Sequence, residues 1–117
     1  METTINATIL AVQDLSRAVG FYEALGLTLK FRSDEHHTAI FDGGGSRLWL
    51  VSEVPNVQWA NYPVCVFRVK DVEEARKCVE SQGGEIVSEL SEDPMGPYYI
   101  FKDTEGNQSE IRQPLAR

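Results

Sequence analysis

The sequence predicts an α+β chain built from two tandem βαβββ modules. Three observations carry this: apolar positions that switch twice between strand and helix periods, a helix-start motif at Asp14 repeated at Asp71, and a glycine turn at Asp42 echoed at Asp103. The first module spans about residues 5–52, a linker about 53–63, and the second module about 64–113, all within one domain of residues 1–117.

Residues 5–12 are rich in β-formers and read as the first strand. Asp14 and Ser16 follow as turn and cap formers, and Leu15, Ala18, Tyr22 and Leu25 then share one helical face. Gly26 supplies the left-handed stop. Residues 27–33, 36–41 and 47–52 read as strands, with Asp34-Glu35 and Asp42-Gly43-Gly44-Gly45 at the turns. The pattern then restarts: Val64–Val69 as a strand, Asp71 and Glu74 as an Asp-x-x-Glu variant of the capping box, and a helix from Val72 to Gly83-Gly84. Strands are expected near 85–90, 97–102 and 108–113.

Register matters more than any single element. Val12-x-Asp14-Leu15-x-x-Ala18 recurs as Val69-x-Asp71-Val72-x-x-Ala75, and the helix stop at Gly26 recurs at Gly83 with the same spacing from its motif. Asp42-Gly-Gly-Gly-Ser46 is echoed by Asp103-Thr-Glu-Gly-Asn107 at a slightly larger offset, so the second copy carries a longer loop before it. Such internal duplication is a fold-level signal.

Composition narrows the function classes. The chain has 117 residues, 42% apolar, with 11 basic and 18 acidic side chains for a net charge of −7. Nucleic-acid binding needs clustered basic charge, which this balance opposes. No apolar run reaches the roughly 18–20 residues of a membrane span, and Met1-Glu2-Thr3-Thr4 does not open a signal peptide. Cys65 and Cys78 lack metal-binding spacing and are expected as packed, reduced thiols of a cytoplasmic protein. Gly43-Gly44-Gly45 precedes no helix, so it is a hairpin turn rather than a phosphate loop.

Asp14-Leu15-x-x-Ala18-x-x-Phe21-Tyr22-x-x-Leu25-Gly26-Leu27, together with Phe101-Lys102-Asp103-Thr104-Glu105-Gly106-Asn107-Gln108-Ser109-Glu110-Ile111, resembles the vicinal oxygen chelate superfamily. That group includes glyoxalase I, bleomycin-resistance proteins and extradiol dioxygenases. The resemblance covers residues 5–113. It implies that each module curls its mixed sheet into a half-barrel around a cavity, with the helices outside. It also implies where the family's metal ligands would fall: Ala7, Trp49, Val64 and Glu110. A divalent ion needs at least three oxygen or nitrogen donors, and this set offers one carboxylate. Alanine and valine have no lone pair, and the indole only donates. No metal, no cofactor and no catalytic residue are therefore expected, as in the metal-free bleomycin-resistance branch. His36 and His37, adjacent in an expected strand, point to opposite faces and do not restore a site.

Strand alternation gives the lining. Leu10, Val12, Leu48, Leu50, Phe67, Tyr99, Phe101, Ser109 and Ile111 go to the helix side, with Cys65 and Val69. Trp49, Arg47, Arg68, Tyr98, Glu110 and Arg112 go to the cavity as candidate ligand-binding residues. Apolar walls with a few convergent polar groups describe a site for a small organic molecule. A tryptophan at a former ligand position suits a planar or aromatic one. The net charge of −7 favours cationic ligands at long range, while three arginines favour an anionic group at short range, which should dominate inside a low-dielectric pocket and point to a carboxylate or phenolate. Glu110 is expected to pair with Arg68 or Arg112, and Trp59 and Tyr62 either pack at a dimer interface or close the cavity mouth. The leading expectation is metal-independent sequestration of a small molecule by a homodimer. The alternatives are an enzyme with a rearranged metal site or Glu110 as base, and a non-catalytic interaction subunit.

Overall fold

In the computed structural model, residues 1–57, 59 and 61–114 are described. Backbone contacts divide the chain into two compact units, Met1–Val57 and Gln58–Arg117. The architecture is α+β: two mixed sheets, each with one helix against it, and no closed barrel among the described residues. None of the described helices is long and apolar enough to cross a membrane.

The first unit holds β1 (Ala7–Ala11), α1 (Leu15–Leu25), β2 (Thr28–Ser33), β3 (Thr38–Asp42) and β4 (Arg47–Val51). Its sheet runs β1-β4-β3-β2, with β1 parallel to β4 and the other pairs antiparallel. Leu10, Ala39, Phe41, Leu48 and Leu50 are buried with Ala18, Phe21 and Tyr22 of α1. The Tyr22 ring meets Phe21 edge-on at 5.0 Å and lies 6.3 Å from Phe41. Because strand side chains alternate, burying one set leaves Ile9, Ile40, Arg47 and Trp49 on the opposite, open face.

The second unit holds β5 (Val66–Arg68), α2 (Val72–Ser81), β6 (Glu85–Ile86), β7 (Ser91–Asp93), β8 (Gly96–Lys102) and β9 (Gln108–Arg112). Its sheet runs β5-β9-β8-β6, with β7 also on β8. Val72, Ala75 and Val79 of α2 are buried, as are Tyr99, Phe101 and Ile111. The Tyr99 hydroxyl donates to the Val72 carbonyl at 2.9 Å, and burial, ahead of the nearby Glu73 charge, holds its phenol well above the usual range. The Val72 amide in turn donates to Gln113 Oε1 at 3.0 Å.

The duplication repeats bond by bond. The Asp14 carboxylate accepts from the Arg17 amide at 3.0 Å, and the Asp71 carboxylate from Glu73 and Glu74 at 2.9 and 3.3 Å. At the helix stops, Gly26 and Leu27 donate to the Glu23 and Tyr22 carbonyls, and Gly83 and Gly84 to those of Glu80 and Val79. Donors and acceptors of these last two pairs keep the spacing that separates Asp14 from Asp71. The glycine turns repeat too. Asp42 Oδ1 accepts from the Gly44 amide at 2.9 Å, and Asp103 Oδ1 accepts from the Glu105 amide at 2.8 Å, the matching position of the second copy. The backbone at Gly43 leaves no alternative residue, since a Cβ there would sit 2.6 Å from the Ser46 carbonyl oxygen.

Three expectations change, the first being that the strand expected at Val64–Val69 shortens to Val66–Arg68. The strand expected at 85–90 stops at Ile86, because the Val87 and Ser88 amides both turn to the single Ile100 carbonyl. Ser88 Oγ then accepts from the Ile100 amide at 2.9 Å, and an additional strand, β7, forms at Ser91–Asp93. The strand expected at 36–41 begins at Thr38 instead. His36 and His37 lie in the preceding turn, where His37 adopts a left-handed φ of 54° and the Ser33 hydroxyl meets His36 Nδ1 at 2.8 Å. The opposite-face argument for the two histidines therefore does not apply, although both are exposed.

The two turn aspartates should differ in worth. Asp103 is buried and also accepts from the Asn107 amide and side chain, whereas Asp42 is exposed with its one amide. Asp103→Ala is expected to lower unfolding free energy by about 2–3 kcal/mol and Asp42→Ala by less than about 1 kcal/mol, read from urea midpoints.

Candidate functional site

Parallel pairing places the candidate residues. Ala7 pairs with Arg47 and Ile9 with Trp49 across β1 and β4, and Val66 pairs with Glu110 and Arg68 with Arg112 across β5 and β9. Trp49 and Glu110 therefore occupy equivalent points of the two copies, beside Ile9 and Val66 respectively. Tyr98 pairs with Arg112 and Ile100 with Glu110 across β8 and β9. Each unit thus presents its predicted set on its own open face: Arg47 and Trp49 in the first, Arg68, Tyr98, Glu110 and Arg112 in the second. Val64, outside β5, still donates its amide to the Gln108 carbonyl at 2.9 Å.

Arg112 is the most constrained of the six. Its Nε donates to Glu110 Oε2 at 2.8 Å, and its two terminal nitrogens donate to the two Asp93 oxygens at 2.6 and 3.0 Å. Nη1 also donates to the Gly96 carbonyl at 3.2 Å, and the guanidinium lies 4.4 Å from the Tyr98 ring centroid. A fork-on-fork pair of this kind fixes both orientation and charge. Hydrogen bonding to Arg112 holds the Asp93 carboxyl below its usual range, and Asp93 and then Glu110 hold the guanidinium protonated. Two carboxylates compensate one arginine, so Arg112 does not present a free cation. That corrects the expectation of three arginines poised for an anion. It also settles which arginine pairs with Glu110.

Arg47 and Arg68 are exposed and form no ion pair with other described residues. The Trp49 indole nitrogen is covered from solvent and has no hydrogen-bond partner among the described residues. An unmade bond at a covered N–H costs about 1–3 kcal/mol. Cys65 and Cys78 are each half-buried, and burial pushes both thiols up, away from the reactive thiolate. Both sit less deeply than the packed core positions expected of them.

The first unit also holds a pocket of about 950 Å³. Asn6, Lys30, Phe31, Ile40, Asp42 and Arg47 are among its lining residues. Of the six predicted residues only Arg47 lines it, and Trp49 is next to it as the strand partner of Ile40. Lys30, Phe31 and Asp93 escaped the sequence reading. The first two depend on a register irregularity, and Asp93 lies on a strand without β-formers.

The metal positions implied by family resemblance do not fit an ion. Ala7 and Val64 have no donor atom, Trp49 offers only its N–H, and the Glu110 carboxylate is engaged by Arg112. Among the described residues, no three His, Cys, Asp or Glu side chains are grouped closely enough to hold a metal.

Comparison with known proteins bears on the same fold. Residues 4–111 match the family model of the Glyoxalase/Bleomycin resistance protein/Dioxygenase superfamily. An uncharacterized protein of Mycolicibacterium smegmatis is 31% identical over 113 residues, covering 97% of this chain and 96% of that one. TioX from Micromonospora sp. ML1 superposes with a TM-score of 0.70 at 25% identity, covering 97% of this chain and all of its own (100%). TnmS3, an antibiotic binding protein from Streptomyces sp. CB03234, gives 0.78 at 22% identity, covering 97% and 98% of the two chains.

The Asp93–Arg112 pair makes acid stability measurable. Asp93 has a folded-state pKa below its unfolded one, so its contribution is complete at neutral pH and is lost as pH falls through the folded value. Asp93→Asn is expected to lower the urea midpoint at pH 7. The gap to the parent should start to close below roughly pH 4, where the unfolded carboxyl protonates first, and vanish once the folded carboxyl is protonated too.

Proposed function

The chain belongs to the Glyoxalase/Bleomycin resistance protein/Dioxygenase superfamily, and from that premise we propose that it binds a small planar or aromatic molecule without a metal. The observation that carries this is the donor set. Where metal chemistry would need lone pairs, the chain has alanine, valine and an indole, and its one carboxylate is held by an arginine 2.8 Å away. What remains suits binding: Trp49 and Tyr98 offer aromatic faces, and Arg47 and Arg68 offer exposed charge.

Sequestration lowers no reaction barrier, so it needs no general acid or base. Glu110 as a free base is disfavoured by the same Arg112 bond. TnmS3, an antibiotic binding protein of this fold, supports the idea that the scaffold serves binding. The proposal includes a homodimer, supported by the exposure of Val64, Val66 and Tyr62 in the second unit. It also includes a cytoplasmic setting, which the free thiols of Cys65 and Cys78 suit.

Calorimetric titration of chelator-treated protein against planar antibiotics and aromatic acids tests the reading. Micromolar binding is expected, unchanged when zinc, nickel or iron(II) is added back. No affinity tighter than about millimolar across the panel, or binding that appears only with metal, would overturn it. Sedimentation should report a particle of twice the chain mass.

A further inference from the structure

One strand irregularity sets the character of the first unit's pocket. In β2, Leu29 pairs with Phe41 and Phe31 with Ile40, so Lys30 is an extra residue between them. In a regular ladder Lys30 would pair with Ile40 and Phe31 with Ala39, which is fully buried on the helix face. The bulge moves Phe31 out of that face and leaves it 53% exposed. It also sends Arg32 to the helix side, where its Nη2 donates to Ser16 Oγ at 2.7 Å. Two consecutive residues, Lys30 and Phe31, now line one pocket, which strand alternation otherwise forbids. Bulges recur where a side chain is re-aimed towards a site.

The charges lining the pocket are mixed but positive in sum, with Asp42 opposite Arg47 in the ladder. Lys30 and Arg47 are cationic, and the single carboxylate, Asp42, already accepts the Gly44 amide at 2.9 Å. On a chain of net charge −7 this is a local excess of positive charge beside an exposed aromatic ring. Resting on the binding function proposed above, we infer that this pocket selects a planar aromatic anion. Phe31 is the stacking platform, and Lys30 and Arg47 take a carboxylate or phenolate oxygen. The overall acidity of the chain does not decide ligand charge, because nearby charges act over a shorter and less screened distance.

Three naphthalene probes test this: naphthoate, its planar isostere naphthamide, and the cationic naphthylmethylammonium, titrated with residue-resolved NMR. Naphthoate should bind about tenfold more tightly than the amide, with the ammonium weakest, and shifts should centre on Lys30, Phe31, Ile40 and Arg47. Lys30→Gln and Arg47→Gln should each weaken naphthoate several-fold and leave the amide unchanged. Phe31→Ser should weaken acid and amide alike. If Phe31→Ser does not fold, the two charge variants with the amide control decide alone. Equal binding of acid and amide, tighter binding of the ammonium, or shifts confined to Arg68 and Tyr98 would overturn the inference while leaving the binding function standing. If neither these probes nor the antibiotic panel bind, the proposed function fails and takes this inference with it.

Discussion

The parallel pairing of each unit's first strand with its last is the constraint on which the rest depends. β1 on β4 and β5 on β9 fix which residues of the outer strands meet the helix and which face away. Since side chains alternate, a slip of one residue would exchange the two sets entirely. The slip is costly because the helix-side set is large and apolar: Leu10, Leu48 and Leu50 in one unit, Phe101 and Ile111 in the other. The open faces hold Trp49, Arg47, Glu110 and Arg112 because their neighbours in sequence are needed elsewhere.

The alternation of side chains that this pairing reads out is local to each strand, which is why much of the fold was legible. Helix α1 occupies Leu15–Leu25, the span its apolar period and the Gly26 stop indicate. The repeat of Asp14 at Asp71 and of Gly26 at Gly83 reflects recurring hydrogen bonds, so it reports geometry rather than composition. Alternation also assigned Ser109 and Ile111 to the buried face and Glu110 and Arg112 to the other. Features set by long-range pairing were not legible. The bulge at Lys30 lies in a run that alternates regularly on paper, and only pairing with β3 reveals the extra residue. β7 is held by β8 rather than by propensity, so Asp93 gave no sign that it would engage Arg112. His36 and His37 left the expected strand because His37 takes a left-handed conformation, which histidine adopts more readily than most residues.

The two copies have kept geometry and changed chemistry. At equivalent points of the two sheets stand an indole whose N–H has no partner among the described residues and a carboxylate held by a guanidinium. One is a large apolar surface with a single donor. The other belongs to a three-residue cluster with one net negative charge, in which Arg112 is held by both Asp93 and Glu110. A shared backbone plan thus carries unlike side-chain surfaces, which is how one fold hosts many functions.

The contrast between the two glycine turns has a consequence for how such a protein changes. In the second unit the turn from Asp103 to Asn107 is buried through Asp103, Glu105 and Asn107, and its side chains are occupied in holding the backbone. In the first, Gly45 and Ser46 lie at the rim of the 950 Å³ pocket on a solvent-facing loop. Gly43 is sterically tight and Gly44 and Gly45 hold left-handed φ values of 73° and 131°, so Ser46 is where a new side chain can enter that rim without backbone strain. Variation among descendants of this chain should therefore gather at Ser46, while the mirrored loop, whose side chains hold their own backbone, stays nearly invariant.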